Sequence, residues 1–348
     1  MIFLNLQTMD EPIIEKQLST CHQNILPYIH NTPVISSNYF NKITGAKIFF
    51  KCENFQKTGS FKVRGALNAL KHLTDSKRLN SVVTHSSGNF AQALALAAHK
   101  FGIQSYIVMP RNAPKVKKEG VLEYGGVIIE CEPTLYDRER TARRICLEKG
   151  ATLVHPSNDL NIILGQATSC KELLEVHPNL DYVLTPVGGG GLVAGTIIAV
   201  KYYGKSTCRV IGGEPFQVDD AYRSLRNGAI ESNSSTNTIA DGLKTNLGEV
   251  NFPIIRDGIE MIVRVTEDEI VKAMRLVWER MKIIIEPSSA VAVAVLTKKK
   301  KLFHEKKIGV ILSGGNIDVD DLLYRLHQNS IPRQEAKNER GLNNERNR

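Results

Sequence analysis

The chain lacks most of what staples small secreted or metal-bound domains. Its six cysteines (Cys21, Cys52, Cys131, Cys146, Cys170 and Cys208) include no Cys-x-x-Cys pair. That scatter argues against a zinc site and a disulfide framework, and it suits a reducing compartment. No apolar run reaches the roughly 18 residues of a membrane span. The start, Met1 to Gln7, has no basic opening and too short an apolar stretch for a secretory signal. A cytoplasmic protein with no membrane partner is therefore expected. Aromatic residues are few, 6% with one tryptophan, so no stacking platform for single-stranded nucleic acid is indicated.

What is present is ordinary globular composition: 348 residues, 42% hydrophobic and 23% charged. Disordered, collagenous and coiled-coil chains are excluded, and two domains are expected. The net charge of +9 is mostly local: six lysines fall between Lys298 and Lys307, and five basic residues lie between Arg333 and Arg348. A solvated lysine turn explains the first stretch, and no nucleic-acid partner is expected.

Strand-like runs (Lys47–Lys51, Ser81–Thr84, Ser105–Met109, Val127–Cys131, Thr152–His155, Tyr182–Val187, Cys208–Gly212, Met261–Val265, Gly309–Leu312) alternate with helical patterns such as Phe90–Phe101, Ala142–Lys149, Leu192–Tyr203 and Glu267–Met281. The alternation predicts an α/β fold with doubly wound parallel sheets. Three strands run into small-residue loops: Ser86-Ser87-Gly88-Asn89, Gly188-Gly189-Gly190-Gly191 and Ser313-Gly314-Gly315-Asn316. In open α/β sheets ligands sit beyond such strand ends.

Four glycines let backbone N–H groups close around an anion, with a helix start at Leu192 behind them. Phosphate is the natural guest. Gly189, Gly191 and Ala194 also fit the loose dinucleotide fingerprint, with Glu214 about 20 residues on as a ribose ligand, so a nicotinamide enzyme stays open. In Lys57 to Ala66, Ser60 reads as an N-cap and Lys62 as a first-turn lysine. There the dipole and the like charge of Arg64 favour the neutral amine, the form that condenses with an aldehyde. The Ser86–Asn89 loop suits a carboxylate or a plain helix cap. Ser313 can donate to a neutral ring nitrogen. Glu214 and Asp220, six residues apart, read as a surface acidic turn or as oxygen ligands for a hard cation.

Together these residues describe pyridoxal phosphate. Ser60-Phe61-Lys62-Val63-Arg64-Gly65-Ala66, the glycine quartet and Ser313-Gly314-Gly315-Asn316, in this order, resemble the serine racemase and threonine dehydratase family of fold-type-II pyridoxal phosphate enzymes. Thr84–Asn89, Ile239–Leu243 and Trp278–Lys282 add to the likeness, which runs from about Ile13 to Leu326.

The resemblance implies two doubly wound open-sheet lobes of the tryptophan synthase β-like architecture. Residues 1–80 and 158–330 would form the larger, 81–157 a smaller mobile lobe, and 331–348 a disordered polar tail. It implies racemisation of L- and D-serine with β-elimination to pyruvate and ammonia. Lys62 would carry the cofactor and act as base on one substrate face, and Ser87 as acid/base on the other. Phe61 would pack on the ring, Asn89 bond its phenolic oxygen and Gly242 approach it. Ser86, Ser87, Asn89 and Arg138 would hold the substrate.

The resemblance also implies a divalent ion (Mg²⁺, Ca²⁺ or Mn²⁺) on Glu214, Asp220 and the Val218 carbonyl. ATP would bind as activator at Ser37, Lys57, Thr58, Gln92, Tyr124, Lys282 and Asn316, although Asn38 and Tyr39 depart from the family's pattern. A homodimer is implied as well. Phe90 stands where relatives mostly have histidine. Asp159 would repel a second carboxylate if it faced the site, which favours serine over aspartate. The alternatives are a dehydratase of L-serine or L-threonine, an aspartate racemase, a nicotinamide dehydrogenase and a non-catalytic basic binding protein.

Overall fold

The strands that read as continuous apolar runs are those buried on both faces. In β7 (Tyr182–Pro186), β8 (Arg209–Pro215) and β10 (Lys307–Leu312), every residue after the first is buried, as covered parallel strands require. The computed structural model describes residues 11–76, 79–113 and 115–318. The expected polar tail lies outside them.

A six-stranded sheet has the order β1-β2-β10-β7-β8-β9, with β1 (Val34–Ile35), β2 (Lys47–Cys52) and β9 (Ile259–Val265) completing it. Only β1 runs antiparallel, against β2. A four-stranded parallel sheet, β5-β4-β3-β6, is built entirely from the intervening chain. Its strands are β3 (Ser81–Thr84), β4 (Gln104–Pro110), β5 (Val127–Cys131) and β6 (Thr152–Leu153). Strand β6 is shorter than its sequence suggests; His155 already lies in the following turn.

The helices are α1 (Glu11–Ile25), α2 (Asn38–Thr44), α3 (Lys62–Ser76), α4 (Asn89–Lys100), α5 (Lys115–Glu123), α6 (Leu135–Lys149), α7 (Leu160–Val176), α8 (Gly191–Tyr203), α9 (Asp220–Asn227), α10 (Asn251–Gly258), α11 (Glu267–Met281) and α12 (Pro287–Lys298). Helices α7 and α8 are buried along nearly their whole length and pack into one core with β7 and α10. A second core joins α3, α4 and the inner strands of the smaller sheet.

A network of buried charges lies beneath the start of α3. Arg64 is fully buried and bonds Glu53 (2.7 and 2.9 Å) and Glu172 (two bonds of 2.7 Å). Lys51 Nζ donates to Glu172 at 2.6 Å and to the Thr32 carbonyl at 2.6 Å. The neighbouring carboxylates hold Arg64 charged, and the donors from His22 and Arg64 bring Glu172 well below the usual carboxylate range despite its burial.

Candidate active site

Long-range contacts join the Ser86–Asn89 and Ser313–Asn316 loops directly, and set the glycine quartet against Gly242 and Ser157. Lys62 is the first residue of α3, and its Nζ donates to the Pro156 carbonyl at 3.2 Å. The amine lies 5.0 Å from the ring centre of Phe61 and 6.0 Å from that of Phe90. Burial lowers its pKa from 10.5 to about 8, against an opposing pull from Glu286. The lowered value agrees with expectation, but its cause does not: Arg64 points into the buried network and plays no part. Ser60 also differs from expectation. It caps no helix; its hydroxyl is buried without a partner, and its backbone bridges Gly314.

The Phe61 N–H donates to the Ser313 carbonyl at 3.1 Å, which sets Ser313, itself buried, beside the lysine motif. Asn89 opens α4. Its Nδ2 donates to Glu286 at 2.8 Å, and its Oδ1 accepts from Asn316 Nδ2 at 3.0 Å. Glu286 precedes α12, and burial and the charge of Asp241 push its carboxyl well above the usual range. The Gly242 N–H donates to Ser288 Oγ at 3.0 Å, two residues along from Glu286.

The glycine quartet forms a cradle that side chains would fill. A Cβ on Gly188 would lie 2.9 Å from the Gly242 carbonyl oxygen, and one on Gly189 only 2.5 Å from Ser157 Oγ. Gly190 has φ +82°, a conformation that favours glycine. The first N–H groups of α8 have no preceding turn to bond, so the loop and helix start suit a phosphate. The cradle, the buried amine and the Ser313 hydroxyl fit pyridoxal phosphate.

Ser86 and Ser87 are half-buried in the loop between β3 and α4. Arg138, on α6, faces His85, and burial followed by the Arg138 charge lowers that imidazole's pKa. Asp159 caps α7: its Oδ1 accepts the N–H groups of Asn161 (2.8 Å) and Ile162 (3.1 Å).

Glu214, at the end of β8, is fully buried and accepts the N–H groups of Ala221 (3.0 Å) and Tyr222 (2.9 Å). It is not a surface residue, and its full burial excludes a ribose, while each oxygen keeps a second lone pair for a small ion. Asp220 is equally buried and accepts from Asn233 Nδ2 (2.6 Å) and Leu247 N–H (3.1 Å). Burial pushes Glu214 far above its usual pKa, with Asp220's charge adding to the shift, and burial brings Asp220 up to about 6. Two buried carboxylates beside the buried Val218 fit a hard cation. No group of three or more His, Cys, Asp and Glu side chains suited to a metal occurs among the described residues.

Of the ATP set, Asn316 Nδ2 donates to the Thr58 carbonyl at 2.7 Å, and Lys57 adjoins Thr58 in the same turn. Gln92 lies against Gly120 of α5. Ser37 precedes α2, and Lys282 ends α11 with its Nζ 2.5 Å from the Glu279 carbonyl. No hydrogen bond joins Ser37, Tyr124 or Lys282 to Asn316 among the described residues.

Glu286 and Asn251 border the site without having been picked out from sequence, and His155, Pro156 and Ser157 border it in the loop that runs on to Asp159. A glutamate directly before the helix-opening Pro287 is the only local signal among them.

Known proteins share this arrangement. A family model described as a pyridoxal-phosphate dependent enzyme matches residues 25–314. The beta-hydroxyaspartate dehydratase of Paracoccus denitrificans is 46% identical over 311 residues, covering 89% of this chain and 98% of its own length. The serine racemase of Dictyostelium discoideum is 45% identical over 311 residues, covering 88% and 96%. A crystal structure of serine racemase from Dictyostelium discoideum superposes with a TM-score of 0.83 at 46% identity, covering 87% of this chain and 98% of that one.

Proposed function

We infer the activity from one premise: the chain belongs to the pyridoxal-phosphate dependent enzyme family. It is an amino-acid racemase that interconverts L- and D-serine and also removes water from serine to give pyruvate and ammonia. The observation that carries this reading is a buried lysine amine, Lys62, whose pKa burial lowers to about 8, in a site that also presents the hydroxyl-bearing loop of Ser87.

Gly188 to Gly191 would hold the cofactor's phosphate and Lys62 its aldehyde. Ser313 would meet the ring nitrogen, Phe61 the ring face, Asn89 the phenolic oxygen and Gly242 the ring edge. When bound, pyridoxal phosphate supplies an electron sink for the pair left behind when a proton leaves the α-carbon. Lys62 Nζ takes that proton on one face. Ser87 Oγ delivers a proton on the other, which inverts the centre. Ser86, Asn89 and Arg138 orient the carboxylate. When the β-hydroxyl departs before reprotonation, the outcome is elimination.

The described residues of the segment 81–157 close over the substrate as a mobile lobe carried by the larger one. Glu214, the Val218 carbonyl and Asp220 hold a divalent ion, Mg²⁺ first, and ATP activates through the Thr58–Asn316 neighbourhood. The protein works in the cytoplasm as a homodimer. Phe55 and Ile284, both exposed and brought together by the bond from Asn54 Nδ2 to the Ile284 carbonyl at 3.0 Å, support a dimer face there.

A second reading is dehydration of a serine that bears a carboxylate on Cβ. The 46% identity to the beta-hydroxyaspartate dehydratase of Paracoccus denitrificans supports it. Incubation with L-serine, L-threonine, L-aspartate and β-hydroxyaspartate, with enantiomers and keto acids resolved, separates the readings. D-Serine with pyruvate is the expected result. Keto acid from β-hydroxyaspartate alone supports the second reading, and no turnover of serine overturns the first.

A further inference from the structure

The turn after β6 touches both the amine and the glycine cradle, and one ring nitrogen shapes it. His155 Nδ1 accepts the N–H groups of Ser157 (3.2 Å) and Asn158 (2.8 Å). A nitrogen that accepts two donors keeps its lone pair, so the imidazole proton sits on Nε2. The ring stands edge-on to His85, with centroids 6.0 Å apart at 80°. Burial, His85 and Lys62 together lower the His155 pKa to about 4, which preserves that lone pair at neutral pH.

The turn drawn in this way makes three further contacts. The Pro156 carbonyl accepts from Lys62 Nζ. Ser157, 5% exposed, forms the wall against Gly189 and Gly191. Asn158 Oδ1 accepts the Val250 N–H at 2.8 Å, and Asn251 Nδ2 spans the Ser157 carbonyl (3.3 Å) and the Gly189 carbonyl (2.8 Å).

We propose that His155 is a positioning residue: its Nδ1 templates the Pro156–Asn158 turn, and that turn sets the wall of the glycine cradle and the acceptor for Lys62. The imidazole transfers no proton in the reaction, because the lone pair it would use is engaged. The proposal rests on the cradle being the phosphate site, and the test separates the two claims.

Protein stripped of cofactor is titrated with pyridoxal phosphate and with pyridoxal, which lacks the phosphate. Wild-type protein prefers the phosphorylated form. Failure to discriminate would overturn the cradle reading, whatever His155 does. His155→Asn places its Oδ1 where Nδ1 lay and keeps the preference within about threefold. His155→Gln places its oxygen near the Nε2 position and loses at least about tenfold in preference, the size of one lost buried hydrogen bond. Pyridoxal binding stays unchanged in His155→Asn and falls less than pyridoxal phosphate binding in His155→Gln, and thermal unfolding of the stripped proteins verifies folding.

Equal behaviour of the Asn and Gln variants overturns the proposal, as does an equal loss for both ligands. Nitrogen NMR of wild-type imidazoles decides the case independently if His155→Gln does not fold. A proton on Nε2 is expected, and a proton on Nδ1 of His155 overturns the proposal.

Discussion

Asn89 and Glu286, 197 residues apart in sequence, are joined by a hydrogen bond of 2.8 Å. The bond ties the start of α4 to the start of α12, and the same carboxyl group bears on Lys62. The amine that would bind the cofactor and the asparagine that would bond its ring thus share one acidic neighbour.

A first prediction concerns the amine itself. Only neutral Lys62 can react with an aldehyde, and neutral amine predominates above its pKa. The rate at which stripped protein captures pyridoxal phosphate should rise with pH and level off above about 8; an ordinary lysine would continue to rise towards 10.5. Glu286→Gln removes the group that raises this pKa, so the plateau should start at lower pH. Stopped-flow absorbance over a pH series checks both, and Lys62→Ala should show no capture.

Ser87→Ala should abolish D-serine formation by about 10²- to 10⁴-fold, the usual contribution of a positioned acid or base. Elimination from L-serine should survive, because its proton leaves on the Lys62 face. Chiral chromatography beside a pyruvate assay measures the split. Retained racemisation would mean that another group serves the second face.

Arg64→Met should destabilise the protein by about 3–5 kcal/mol, because it strands Glu53 and Glu172 without their main counter-charge. Arg64→Lys should not rescue it, since one ammonium cannot replace a guanidinium bonded to both carboxylates. The sign with pH follows from Glu172. Its folded pKa is depressed, so its contribution is complete above the ordinary value of 4.5 and fades as pH falls below it. Thermal melts at neutral and acidic pH test both statements.

Mg²⁺ should stabilise wild-type protein by mass action, by about 2.7 kcal/mol at a hundredfold excess over its dissociation constant, and so raise its melting temperature. Asp220→Asn should remove the response. An unchanged melt on adding Mg²⁺ and Ca²⁺ to chelator-treated protein would dismiss the metal assignment.

The fold class and the glycine and serine loops were legible because each rests on local pattern: apolar strands ending in residues that turn tightly. The helix α12 was less so. Its Ala290–Val295 stretch alternates alanine and valine and is buried all round, so it lacks the 3.6-residue period that marks an exposed helix. Arg64 misled for a related reason. Two residues along a helix do not share a face, and Lys62 and Arg64 look into different surroundings. Glu286 and Asn251 gave little sign because their partners lie far along the chain; the bonds of His155 are local, but a side chain accepting two N–H groups within three residues leaves no periodic pattern.

The smaller sheet is an insertion with one point of entry and one of exit. The chain leaves along β3 and returns along β6, which pairs with it; the Val154 N–H still donates to the Val83 carbonyl at 2.9 Å. Departure and return are therefore neighbouring threads, and everything between them could be traded for another insert of similar footprint without redrawing the larger sheet. Such an exchange would replace the serine loop and the arginine of α6 together while leaving the lysine and the glycines untouched. New substrate preferences in this architecture could in this way be acquired as a cassette.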